Sequence, residues 1–223
     1  MSTLKVDGIR SNSASSDAIT MADNGTCTAN ITNNLSNRNI IINGAMQVAQ
    51  RGTSSSSWSG QGFPACDRQK TLGSYGGTWT ISQSTEAPSD NGFTKSTKYD
   101  CTGTVSPPAN GYLQHYYRIE GQDLQSVRKG TSNAKPLILS FWVKTNKTGT
   151  YNVEAIDQDN SRLSSFSYTV GNTNWNKYTI VFPADTTGAF TNDNNVSLDI
   201  GWWLVAGSTF NTGSNQNSFG SFV

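Results

Sequence analysis

The 223-residue sequence predicts an all-β protein, with a short N-terminal fibrous β segment over 1–38 followed by a jelly-roll β-sandwich over 39–223. Three observations lead there. Only 14% of residues are Asp, Glu, Lys or Arg, so polarity comes from Ser, Thr, Asn and Gly. Such residues favour turns and strand surfaces, because their side chains compete for the local backbone bonds that a helix needs. From Pro136 onward, apolar residues alternate with period two in successive short blocks. Turn-forming clusters at Thr145 to Gly149, Asp157 to Ser161 and Gly171 to Asn174 separate those blocks.

The elements follow in order. Leu4 to Ile9 and Cys27 to Ile31 alternate as narrow strands, with turns at Ser11 to Asp17 and Asp23 to Gly25. Too short to bury themselves, they are expected to be stable where sister copies pack together. At Asn39 the run "NIIINGAMQVAQRG" opens the sandwich, with a strand over Ile40 to Gln50, a turn or bulge at Asn43-Gly44, and a serine loop around Trp58. Strands are expected at Thr78 to Gln83, Phe93 to Cys101 and Tyr112 to Glu120, then one or two helical turns at Asp123 to Lys129. Four clearer strands form a meander-like antiparallel series: Leu137 to Lys144, Thr150 to Ile156, Leu163 to Val170 and Asn176 to Phe182.

The alternation also names the core. Leu139, Phe141 and Val143 share one face, as do Tyr151, Val153 and Ala155. So do Phe166, Tyr168 and Val170, and then Tyr178, Ile180 and Phe182. The last strand, Val196 to Ala206, puts Val196, Leu198, Ile200, Trp202 and Leu204 on one side.

Several function classes fall away on composition. A net charge of +1 offers no field for nucleic acid or anionic lipid. No apolar run reaches the roughly 18–20 residues that span a bilayer, and the N-terminus has no basic and hydrophobic signal pattern, so membrane insertion and secretion are not expected. Cys27, Cys66 and Cys101 are odd in number and widely spaced, unlike a disulfide framework or a zinc site. The Asn-x-Ser/Thr triplets at Asn24, Asn30, Asn34, Asn146 and Asn195 are chance matches in so Asn- and Ser-rich a chain.

Catalysis fares no better. His115 is the only histidine, and neither a GxSxG elbow nor a phosphate-binding glycine loop is present. Glycoside hydrolysis needs only two carboxylates, but the glutamates are limited to Glu86, Glu120 and Glu154, and Asp157 and Asp159 sit where a hairpin turn wants Asp. The expectation is no enzyme, no cofactor and no metal site.

Six tryptophans and eight tyrosines remain. Rings stack on sugar C–H faces while Asn and Ser bond the hydroxyls, so Trp58, Tyr116, Tyr117, Trp142 and Trp203 are candidate glycan-binding residues. Sandwiches also bury such rings, and more than half are expected in the core.

The stretch "NRNIIINGAMQVAQRGTS", with "CDRQK" after the serine loop, resembles the start of the globular domain in tail-fibre and related virion proteins of phages, especially those of marine cyanobacteria. "STLKVDGIRSNSASSDAITMADNGTCTANI" is similar to their N-terminal stem. The resemblance covers about the first seventy residues, with Asn43-Gly44 and Gln50-Arg51-Gly52 its most specific positions. It implies a homotrimer whose N-terminal segment joins other virion proteins and whose sandwich, similar to carbohydrate-binding modules, contacts host-surface carbohydrate. It also implies a virion location in the tail or on the capsid surface, after assembly in the host cytoplasm. A head fibre or decoration protein without ligand, and a polysaccharide-degrading tailspike, are the alternatives. Such domains close with a strand similar to Gly-Val-Gln-Leu-Glu. This sequence ends in "GSFV", so the expectation is either a shortened chain or a sandwich lacking its final strand.

Overall fold

The computed structural model describes residues 6–13, 15–23, 27–29, 39–58, 60–74, 77–103, 106–211 and 213–222. The chain divides into two compact units, Met1–Asn39 and Ile40–Val223. In the first, β1 (Gly8–Ile9), β2 (Ile19–Met21) and β3 (Cys27–Ala29) form a three-stranded antiparallel sheet. A turn joins β1 to β2, and Arg10 faces Asp17 across it at 3.7 Å. Leu4, Ile31, Asn24-Gly25 and the triplet asparagines Asn30 and Asn34 lie outside the described residues.

The second unit is all-β and antiparallel. Its strands are β4 (Ser54–Trp58), β5 (Gly60–Gly62), β6 (Gln69–Ser74), β7 (Thr78–Ser84), β8 (Ser96–Gly103), β9 (Tyr112–Glu120), β10 (Leu137–Val143), β11 (Gly149–Asp157), β12 (Arg162–Val170), β13 (Asn176–Phe182), β14 (Val196–Ala206) and β15 (Gly220–Ser221). Seven of them make one sheet in the order β15-β12-β11-β14-β9-β6-β5. The β10-β13 ribbon and the β4-β7-β8 sheet make the others.

One layer packs on the other. Val153, Ala155, Tyr168, Val170, Leu198, Ile200, Tyr117 and Ile119 of the large sheet join Leu139 and Phe182 of the ribbon in one buried cluster. Phe141 meets Tyr168 and Trp202 edge-on at 5.1 and 5.7 Å. The β4-β7-β8 sheet sends Tyr99 to His115 and Thr71 on the same face. This is the two-layer packing of a β-sandwich. Each large apolar side chain it takes from water contributes about 1.5–3 kcal/mol.

Every residue named for the core along β10 to β13 lies in or against that cluster. The connectivity is different. β10 pairs with β13, from Leu137↔Phe182 to Val143↔Asn176, and β11 pairs with β12 in the other layer. The expected meander is therefore corrected: the chain crosses between layers after β10 and again after β12. A ladder of turns cannot reveal this, because alternation says which face is apolar and not which strand lies alongside.

Ile40 to Gln50 forms no strand. Ile40 and Ile41 still pack against the core, and the Ile42 N–H donates to the Tyr117 hydroxyl at 2.7 Å. Asn43, in the left-handed region at φ 57°, replaces the ladder with its own amide. Its Nδ2 donates to the carbonyls of Val48 and Asp67 at 2.9 and 2.8 Å, and its Oδ1 accepts the Val48 N–H at 3.0 Å. The Gln50 N–H reaches the Asp67 carboxylate at 3.3 Å. The "NGAMQVAQ" and "CDR" stretches thus form one clasp that fixes how the chain enters the sandwich.

The stretch Ser54 to Gly62, expected as a loop, instead supplies β4 and β5 to two different sheets. In β14 a bulge between Trp203 and Val205 turns the alternation over, so Val205, not Leu204, opposes Leu113. The expected helical turns are a 3-10 segment over Gly121–Val127.

Candidate functional site

The five aromatic candidates separate cleanly. Tyr117 is 1% exposed in the core cluster, and Tyr116 is 5% exposed on the other face of the large sheet. Neither ring presents a face to solvent, so both are withdrawn as glycan platforms. The "YLQHYY" run reads as a strand buried on both sides, which period-two alternation without a polar face does not distinguish from an exposed aromatic row.

Trp203 is half-buried, with its ring 5.4 Å from Phe210, which in turn meets Tyr112 edge-on at 5.6 Å. Its indole donates to Glu154. That carboxylate also accepts from Gln114 Nε2 at 2.9 Å and from the Tyr116 hydroxyl at 3.1 Å. Gly201 makes the arrangement possible: a β-carbon there would stand 2.9 Å from the Tyr116 ring and 3.2 Å from Glu154 Oε1. Burial pushes the Glu154 carboxyl up, although its three donors pull the other way. Asp199, against Arg118 at 3.1 Å and Gln158 at 2.9 Å, is likewise pushed up by burial. Buried Lys70 is pushed down by its own burial and by Arg118. The outward face of the large sheet is thus a polar floor in which Glu154 is held by three donors, while Arg118 Nε and Asp199 Oδ1 oppose each other as an ion pair with no hydrogen bond between them.

Trp58 is half-buried opposite Trp79, its ring lying over Gly62 and its indole N–H without an acceptor among the described residues.

Trp142 stands differently. β10 and β13 turn Leu139, Phe141, Tyr178 and Ile180 inward, which leaves Ser140, Trp142, Lys177 and Thr179 on the ribbon's outer face. Trp142 is directly opposite Lys177, and Ser140 bonds Thr179 at 2.9 Å. Phe93 and Asn91 close the side, giving a cleft of about 260 Å³ lined by Asn91, Phe93, Ser140, Trp142 and Lys177. Lys177 ion-pairs with no carboxylate among the described residues, whereas neighbouring Lys144 is held by Glu86. Two rings and three hydrogen-bonding side chains meet in one shallow trough. No known protein family, characterised protein or solved structure matches the chain.

Such a cleft can stack a planar apolar face on Trp142 and bond hydroxyls at its edge. Its lining, among the described residues, holds no histidine, carboxylate or thiol. Among the described residues no group of three His, Cys, Asp or Glu side chains could hold a metal ion. No helix among the described residues is long and apolar enough to cross a membrane. Sequence reasoning named Trp142 alone. Lys177 was hidden by the mispaired meander, and Asn91 and Phe93 lie about fifty residues upstream, where only the tertiary fold brings them to the ribbon.

Proposed function

We propose that the protein is an adhesive virion component, a tail fibre whose jelly-roll sandwich holds host-surface carbohydrate in the Trp142 cleft. The observation that carries the binding half of this reading is the cleft itself: an indole and a phenyl ring beside Ser140, Asn91 and Lys177. Sugar rings present C–H faces to aromatic side chains and hydroxyls to amides, hydroxyls and ammonium groups, and the cleft has each partner. The virion half rests on the sequence resemblance. The N-terminal unit joins other virion proteins, and the assembled fibre is a homotrimer. A cleft of this size grips only a sugar or two, and repetition over three chains and several fibres turns weak sites into firm attachment.

A second reading has its own observation. Ile138 and Val181, cross-strand partners on the same outer face, are 69% and 49% exposed. They favour a purely structural fibre in which this face packs against protein and Trp142 is part of the contact. The two readings divide on one experiment, a glycan array probed with the intact chain and with Trp142→Ala. Adhesion predicts binding to a defined glycan set and at least a tenfold loss in the variant, about 1.4 kcal/mol. Oligomer size should be unchanged. A bare array, or a variant that changes sedimentation and not binding, sinks the adhesive reading.

A further inference from the structure

A second concavity, about 360 Å³, exceeds the Trp142 cleft and falls within the roughly 300–1,000 Å³ that small-ligand pockets occupy. Ala189 is the exposed apolar residue of its lining, with Leu124 and Phe190 buried beneath. Gln125, Arg128, Thr131 and Asn133 supply the polar side chains. Among the described residues no carboxylate lines it. Lys129 also borders it, but its ammonium is spent on Asp157, Asp185 and the carbonyls of Thr187 and Gly188. Arg128 is therefore the open cation: its side chain is exposed and ion-pairs with no carboxylate among the described residues.

Arg128 is also conformationally expensive. It ends the 3-10 segment in the left-handed region, at φ 55° and ψ 31°, where glycine would sit without strain. Strain kept at a residue whose side chain faces a pocket points to use of that side chain. Hydrogen bonds brace the surrounding loop. Lys135 N–H closes it on the Val127 carbonyl at 2.8 Å, the Thr131 hydroxyl donates to the Arg128 carbonyl at 2.7 Å, and Gly130 N–H donates to the Asp185 carbonyl at 3.0 Å. Gln125 Nε2 is taken by the carbonyls of Gly121 and Thr191 at 2.8 and 3.1 Å, which leaves its side-chain oxygen as an acceptor.

We propose that this pocket binds a carboxylate-bearing sugar residue of the uronic acid type. The Arg128 guanidinium takes the carboxylate through two parallel hydrogen bonds, as its planar fork allows. The sugar's apolar edge lies against the exposed Ala189, and Gln125, Thr131 and Asn133 bond its hydroxyls. This site is separate in residues and chemistry from the Trp142 cleft, and it stands whether or not that cleft binds glycan.

The test is an NMR titration of the ¹⁵N-labelled intact chain with methyl glucuronoside, with neutral methyl glucoside and with acetate. Expected are shifts at residues 124–133 and 189–190 with the glucuronoside, at least tenfold weaker binding of the other two, and weakening in salt. Arg128→Gly should keep or raise the melting temperature yet lose at least tenfold in affinity, and Arg128→Lys should fall between. Trp142→Ala should change nothing here. No shift with millimolar glucuronoside, equal binding of the neutral sugar or of acetate, or a folded Arg128→Gly with unchanged affinity each overturns the proposal. The wild-type titration decides alone if that variant does not fold.

Discussion

Replacing Lys129 with methionine is expected to cost about 3–5 kcal/mol of stability. The ammonium lies 2.5 Å from Asp157 Oδ2 and 3.0 Å from Asp185 Oδ2, and it donates to the carbonyls of Thr187 and Gly188 at 2.7 and 2.8 Å. The rings of Phe190 and Phe219 stand 5.3 and 5.7 Å from it. Asp185 keeps a second partner, since Arg162 holds it bidentately at 2.8 and 3.0 Å. Burial alone would raise the Asp185 carboxyl, but Arg162, Lys129 and the Thr187 amide hold it below its usual range.

Asp157 has no such reserve. It is fully buried, and its other donors are the turn amides of Asp159 and Asn160 and the Asn160 side chain. Methionine would fill the lysine's volume and leave that carboxylate uncompensated, so the penalty is electrostatic and not a cavity. On the ordinary scaling for a domain of this size, thermal unfolding should fall by on the order of 10 °C. The double variant Lys129→Met/Asp157→Asn should recover part of the loss. A single variant that melts with the wild type would show that the cage contributes nothing.

Acid should weaken the fold through His115, and the second large effect is that pH dependence. Burial between Tyr99, whose hydroxyl bonds Nδ1 at 2.7 Å, and the Trp202 ring pushes the imidazole down from 6.5 to about 4. The sign follows from proton counting. Between those two values the unfolded chain binds the proton and the folded one does not, so stability rises with pH. The contribution is complete above about 6.5 and is lost as pH falls through about 4. Its full size is at most about 3 kcal/mol.

Glu154 and Asp199, both raised, act in the opposite direction as pH falls. The comparison must therefore be differential. Wild type and His115→Gln, unfolded by denaturant from pH 7.5 to 4, should converge in stability as the pH drops. Parallel profiles would mean that His115 takes up its proton in the folded state near its ordinary value.

What the sequence made legible was face, and what it hid was neighbourhood. Period-two alternation placed Leu139, Val153, Tyr168 and Phe182 in the core and left Trp142 outside, because a pleated strand permits no other assignment. Pairing depends on which strands cross between layers, and nothing local in β10 to β13 encodes that. The mispairing hid Lys177 from Trp142. Ser54 to Ser57 concealed a strand because its partners on β7, and not its own side chains, hold it in place. Tyr116 and Tyr117 were misplaced for the converse reason: their strand is buried on both faces, so neither parity is the exposed one. Arg128 carried no signal in sequence. Its meaning lies in a left-handed backbone and a pocket assembled from two separate loops.

The most direct test of the glycan-binding account follows the six tryptophan indole N–H signals of the ¹⁵N-labelled intact chain as the glycan selected on the array is added. The account predicts that the Trp142 signal moves in proportion to occupancy while those of Trp58 and Trp203 stay in place. Movement at Trp203 with Trp142 unchanged, or no movement at saturating glycan, would contradict it.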